Sequence, residues 1–331
     1  MQRMFTTTSN RSYRLLPVFL AMVLVLTACQ PALLPPLGRT ALVLDTVVTI
    51  TLYDDSADEA VLADAFAQIE QYEALFSRTR ADSDIVRLNQ AGGMPIEVDS
   101  LTAAVLTAAC EWAERSDGAF DPTIGAVSAL WDFHGETAVL PDSDKLAEGL
   151  ETVGWRGLHI EGTRAWLENS AAMVDLGGIA KGYIAAQLAE FLRGRGVHAA
   201  MLDLGGDVYV LGDNRRVGIR NPHDSAQLAV TVSVSNQAVV SSGNYERGFV
   251  LDGRRYHHLL DPETGFPADT GLASVTIISS NPIAADALST ACFIMGLERA
   301  VALVDTIPEV EGVFIGADGE VHITAGVVTV R

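Results

Sequence analysis

Three stretches of this 331-residue chain hold chemistry-bearing residue types at useful spacings. In Ala284-Ala285-Asp286-Ala287-Leu288-Ser289-Thr290, Asp286 and Thr290 stand four residues apart and so share one face of a helix. A carboxylate and a hydroxyl are hard oxygen donors of the kind magnesium takes, with substrate phosphates completing its shell. The same pattern also fits an aspartate favoured by a helix dipole beside an ordinary threonine. In Val174-Asp175-Leu176-Gly177-Gly178 a strand end runs into a glycine turn and then a helix from Ile179 to about Arg193. Free N–H groups at such a helix start suit a phosphate, with Lys181 on the first turn in reach of it. Asp175 as a plain helix cap and Lys181 as a solvated lysine are the structural alternatives. Neither Gly-x-Gly-x-x-Gly nor a Walker loop is present here.

The third stretch, Tyr256-His257-His258-Leu259-Leu260-Asp261-Pro262-Glu263-Thr264-Gly265, reads as an apolar strand ending in a turn. Adjacent strand residues point to opposite faces, so only one of the two histidines can serve a given site. Near its ordinary pKa that histidine is a general base, or else a surface residue. Zinc-ligand spacings and a serine-hydrolase elbow are both missing.

The elements that must position these groups follow from periodicity. Leu42 to Tyr53 alternates as a half-buried strand. Ser56 and Glu59 form a capping box ahead of a helix carrying Val61, Leu62, Phe66, Ile69, Tyr72 and Phe76. Asp99 or Ser100 caps a helix over Leu101 to Arg115, and a short helix follows from Pro122 to Trp131. Val197 to Leu211 reads as an apolar strand holding Gly205-Gly206-Asp207, and Arg216 to Thr276 as short antiparallel strands and hairpins. Helices are expected over Ile283 to Met295 and Leu297 to Thr306, then strands at Val313 to Ile315 and Val327 to Val330. With no internal repeat, one α+β body fits best.

The N-terminus reads as a leader, with Arg3, Arg11 and Arg14 ahead of a short apolar run from Leu15 to Leu26. Leu26-Thr27-Ala28-Cys29 is the pattern of a lipoprotein signal in which Cys29 becomes the acylated first residue; an ordinary secretory peptide is the alternative. This divides the chain into a signal peptide over 1–28, a lipidated, proline-rich tether over 29–39 and a folded domain over 40–331. It also implies a membrane-anchored protein on the extracytoplasmic, periplasmic side. Without the three leader arginines the chain has 19 basic against 42 acidic residues, a net charge of −23. Such a body repels nucleic acid and makes binding a polyanion costly without a cation. Cys110 and Cys292 read as buried free thiols, a disulfide between them having no support in spacing.

Six motifs in order resemble the ApbE family of FAD:protein FMN transferases. They are Ala119-Phe120-Asp121-Pro122-Thr123-Ile124-Gly125, Asp175 to Tyr183, Leu204-Gly205-Gly206-Asp207, Ser241-Ser242-Gly243-Asn244-Tyr245-Glu246, His258 to Gly265, and Ala285 to Thr290. The resemblance implies an α+β fold with a ferredoxin-like α/β portion and a second subdomain, the flavin lying between them. It implies Asp286, Thr290 and the Gly178 carbonyl as Mg2+ ligands and His258 as the base. Ala119, Phe120, Asp121, Asp175, Lys181, Leu259 and Leu260 would line the FAD pocket. The implied reaction carries FMN from FAD to a Ser/Thr hydroxyl of an extracytoplasmic flavoprotein subunit and releases AMP. An FAD pyrophosphatase giving FMN and AMP, and a non-catalytic flavin-binding lipoprotein, are the alternatives. Two departures stand out: Leu44-Asp45-Thr46 where the family has Met-Gly-Thr, and Thr79 where many members carry a stacking aromatic, a role left here to Phe76 or Tyr53.

Overall fold

A computed structural model describes residues 35–54, 58–133 and 138–330. Cys29, the leader, most of the tether and Ser56 lie outside the described residues. The strand expected over Leu42 to Tyr53 is a hairpin, formed by β1 (Leu37–Val43) and β2 (Thr46–Leu52). Its turn residues Leu44 and Asp45 both take positive φ, 56° and 53°, the two-residue geometry that matches strand twist. Neither is a glycine or asparagine, so no turn signal marks the reversal. Strand structure begins at Leu37, ahead of the Thr40 boundary, because β1 pairs with β2 along its whole length.

Next comes helix α1 (Glu59–Phe76), capped by Asp58, whose side chain accepts from the Val61 N–H at 2.9 Å. The cap thus lies two residues beyond Ser56. After α2 (Asp84–Asn89) and β3 (Ile96–Glu97), helix α3 (Ser100–Arg115) starts at an Asp99 cap. The segment expected as one helix from Pro122 to Trp131 forms turns around a single helical turn, α4 (Gly125–Ser128). Helix α5 (Ser143–Leu150) carries no sequence expectation; β4 (Leu158–Glu161) and β5 (Arg164–Leu167) then join β3 in a small sheet.

Helix α6 (Ala180–Gly194) leads to β6 (Ala200–Leu204) and β7 (Val208–Leu211). These are two strands rather than one, since Gly205 and Gly206 take φ of 73° and 98° and reverse the chain. The hairpins expected after Arg216 are β8 (Arg215–Asn221) with β9 (Asp224–Val234), and β11 (Gly248–Leu251) with β12 (Arg254–His257). Between them lies β10 (Gln237–Gly243), and β13 (Leu272–Ser279) follows. Helices α7 (Pro282–Met295) and α8 (Leu297–Val304) precede β14 (Val310–Gly316) and β15 (Val321–Ile323). At the end, Thr329 makes an isolated bridge to Val232 instead of a strand.

The main sheet is antiparallel throughout, in the order β1-β2-β6-β7-β10-β13-β14-β15. All eight residues of β13 are buried. Val275 and Ile277 join Ile184 and Leu188 of α6 and Leu288 and Phe293 of α7 in the principal core. Ile278, with Val313 and Ile315, packs on Val217, Ile219, Val232 and Val234 of the β8–β9 hairpin in a second core. The result is a mixed α+β fold of helices, large sheet and covering hairpin, with the α4–α5 segment and β11–β12 held together by a smaller cluster around Val127, Trp131, Tyr256 and Leu260. Among the described residues no helix is long and apolar enough to cross a membrane.

Candidate functional site

The site is built where α6 and α7 cross. A Cβ on Gly182 would lie 2.3 Å from the Pro282 carbonyl oxygen and 2.7 Å from Asp286 Cβ, so only glycine permits this approach. The Gly182 N–H donates to Asp286 Oδ2 at 2.8 Å, and Lys181, one residue earlier, is carried to the same place. Lys181 Nζ lies 2.5 Å from Oδ2 of Asp207, which the β6–β7 glycine turn delivers. Lysine, two carboxylates and the crossing form one buried charge cluster.

Its electrostatics follow from burial. Burial raises the Asp286 carboxyl to about 7, helped by the Asp207 charge and opposed by Lys181 and the Gly182 N–H. Burial also raises Asp207, against the pull of Lys181. For Lys181 burial acts downward, but Asp207, Asp286 and Glu246 outweigh it and hold the amine above its ordinary range.

One turn along α7 from Asp286, the Thr290 hydroxyl lies 3.2 Å from where a Gly178 Cβ would be, beside the Phe120 ring at the same distance. The Thr290 hydroxyl and the Phe120 ring therefore both crowd the Gly178 position, and a side chain there would meet each of them. Ser242 of β10 links to this face of α7, its Oγ 2.8 Å from Ser289 Oγ and 3.5 Å from Thr290 Oγ1. Asp175 accepts from the Gly177 N–H at 2.9 Å and the Ser128 hydroxyl at 2.8 Å, so it fixes the turn; Arg78 approaches it at 3.7 Å. Asp121 is similarly engaged by Thr123 N–H and hydroxyl and by the Trp155 N–H, and burial raises its carboxyl.

The two histidines separate as strand geometry requires. His257 turns inward, edge-on to Phe293 with centroids 5.5 Å apart. His258 turns to the cleft, its Nε2 4.0 Å from Glu246 Oε2. Burial, then the neighbouring Arg247 charge, lowers the His258 pKa to about 4, so the ring is neutral at pH 7.

All eleven site residues expected within the folded domain line one cleft of about 340 Å³: Ala119, Phe120, Asp121, Asp175, Gly178, Lys181, His258, Leu259, Leu260, Asp286 and Thr290. Asp207, Glu246, Arg78, Trp131 and Phe133 line it too, without having been assigned a role from sequence. Asp207 and Glu246 sat in quoted motifs, and their acidic side chains next to glycine turns were the available signal. The aromatic substitutes expected for Thr79 are elsewhere. Phe76 stacks on Tyr72 in the core at 5.8 Å, and Tyr53 lies under the Arg215 guanidinium at 3.5 Å. Thr79 itself bonds back to Ser77. The cleft's aromatic wall is Phe120, Trp131 and Phe133.

The ApbE family model matches residues 44–314, which span every element around this cleft. The chain belongs to the ApbE family. Among ApbE relatives, the FAD:protein FMN transferase of Treponema pallidum is 38% identical over 88% of this chain and 87% of its own length. That of Klebsiella pneumoniae is 32% identical over 86% and 91%. The ApbE protein of Thermotoga maritima superposes with a TM-score of 0.81 at 31% identity, covering 88% of this chain and 97% of that one. The flavin transferase ApbE of Vibrio cholerae gives 0.79 at 26% identity, over 88% and 98%. The ApbE fold expected from the six motifs is therefore the fold this chain adopts.

Proposed function

We propose that this chain is an FAD:protein FMN transferase, moving FMN from FAD to a Ser or Thr hydroxyl of an acceptor protein with release of AMP. The observation that carries this reading is convergence: the glycine turn, Lys181, Asp286, Thr290 and His258, from separate parts of the chain, line one cleft. The relatives named for this activity match over most of their length.

In this reading the acceptor hydroxyl attacks the phosphorus on the FMN side of the pyrophosphate, and its proton passes to the neutral His258 ring. The bond from that phosphorus to the bridging oxygen breaks, and AMP leaves with the electron pair. Lys181 balances charge on the transferring phosphoryl oxygens, and the Gly177-Gly178 turn lets a phosphate approach the backbone closely. The cleft wall of Phe120, Trp131 and Phe133 offers ring surface to a flavin.

The donor set fits magnesium. Asp286 accepts one hydrogen bond among the described residues, at Oδ2, leaving Oδ1 to a cation, and the Thr290 hydroxyl lies against the Gly178 turn. No group of three or more His, Cys, Asp or Glu side chains gathers as a metal site among the described residues, and the proposed set of Asp286, Thr290 and the Gly178 carbonyl needs only one carboxylate. When bound there, Mg2+ would neutralise pyrophosphate charge within a strongly acidic protein. The leader and Cys29 support a lipid-anchored protein acting on extracytoplasmic flavoprotein subunits.

The test is mass spectrometry of a candidate acceptor after incubation with the folded domain, FAD and Mg2+. An FMN-sized gain that EDTA and Asp286→Asn both remove is the expected result. Free FMN and AMP with an unmodified acceptor would indicate a pyrophosphatase, and unchanged FAD would overturn both activities.

A further inference from the structure

Glu246 lies in the loop between β10 and β11 and lines the cleft beside His258, with its Oε2 4.0 Å from His258 Nε2. The other ring nitrogen, Nδ1, is buried without a well-formed hydrogen bond. The Arg247 backbone favours the ring's charged form. The Arg247 carbonyl accepts from the His258 backbone N–H at 3.3 Å, and Nε2 is the ring nitrogen on the side of Glu246. A carboxylate beside the nitrogen that takes a proton stabilises the cation formed there.

We propose that Glu246 is a positioning residue for the transfer reaction: its carboxylate provides the counter-charge that holds the imidazolium formed when Nε2 takes the acceptor's proton. The inference rests on the transferase reading given above. It answers a difficulty in the site, because Arg247, His257 and Lys181 all disfavour a protonated His258 ring. Without a carboxylate beside Nε2, the base would accept its proton against two positive charges in a buried setting. Proton balance is complete within the pair: the hydroxyl proton moves to Nε2, the oxygen forms its bond to phosphorus, and the protonated ring stays paired with Glu246 until solvent receives the proton after AMP departs.

The experiment is a double-mutant cycle on FMN transfer using Glu246→Gln, His258→Ala and the two combined, with FAD KM and kcat determined separately. Glu246→Gln is expected to lower kcat about 10- to 100-fold, less than the roughly 10²–10⁴-fold of a general base itself, and to leave the KM for FAD within about twofold. In the His258→Ala background the same substitution should change kcat less than about twofold. Equal losses in both backgrounds, or a raised KM with unchanged kcat, would overturn the pairing while leaving the transferase intact. Should Glu246→Gln fail to fold by circular dichroism, Glu246→Asp decides, with partial kcat supporting the pairing and full kcat in a shortened side chain opposing it. A parent protein that neither transfers FMN nor cleaves FAD would remove the function and the pairing together.

Discussion

Gly182 and Asp286 are joined twice, by an N–H to carboxylate hydrogen bond of 2.8 Å and by a backbone approach that leaves no room for a Cβ. Gly182→Ala places a methyl against the Pro282 carbonyl and Asp286 Cβ, both rigidly held. The expected cost is about 1–3 kcal/mol in urea unfolding, as for overpacked cores. Transfer should fall by more than that destabilisation explains, because separating the helices moves Asp286 and Thr290 together away from Gly178 and Lys181; an active, destabilised variant would show that the crossing serves packing alone.

Lys181 and Asp207 form a second test, in which stability and activity part company. Lys181→Met leaves the Asp207 carboxylate, 6% exposed, without its cation. Removing one partner of such a pair costs about 3 kcal/mol, toward the low end because Lys181 keeps 30% exposure. Adding Asp207→Asn should restore much of the lost stability in thermal unfolding, but not FMN transfer, since the ammonium remains absent.

His257 gives the protein an acid sensitivity unrelated to its chemistry. Burial lowers its pKa to about 4, whereas an unfolded chain titrates near 6.5. Between these values the unfolded state binds more protons, so stability falls as pH drops from about 6.5 to 4. Replacing the ring by His257→Gln should remove up to about 3 kcal/mol of that fall, measured as a flatter dependence of the urea midpoint on pH. An unchanged slope would assign the acid sensitivity to other groups.

Asp45 occupies a left-handed position in the β1–β2 turn. Asp45→Gly should stabilise the exposed β1–β2 turn by about 0.5–1 kcal/mol, since glycine meets no Cβ penalty at a φ of 53°. Calorimetry reads the gain, and FMN transfer should be unaffected because Asp45 does not line the cleft; a change in transfer would give the turn a part in the site.

The site was more legible in the sequence than the frame that carries it. Asp286 and Thr290 are one helical turn apart, and Gly177-Gly178 is a local turn, so short-range rules reach them. The approach of α6 to α7, and with it the Lys181–Asp207–Asp286 cluster, depends on contacts about a hundred residues apart that no local period encodes. Where local signals failed, the reason was also local. Leu44-Asp45 lacks the glycine or asparagine usual in a two-residue hairpin, Gly205-Gly206 was embedded in an apolar run that reads as continuous strand, and the cap fell at Asp58 rather than Ser56. The aromatic wall illustrates the same limit: Trp131 and Phe133 look like core residues until the β11–β12 hairpin sets them at the cleft.

Burial of β13 on both faces has a consequence for how the chain survives its own synthesis. Leu272-Ala273-Ser274-Val275-Thr276-Ile277-Ile278-Ser279 contains no charge and no proline, because helices cover one side and the β8–β9 hairpin the other. Before α7 and β14 have emerged, this segment is an uncharged, β-prone run with an unpaired edge. The hairpin that closes the second core is made earlier in the chain than the strand it covers. One face of β13 can therefore be covered as it forms, while its outer edge stays open until β14 pairs with it.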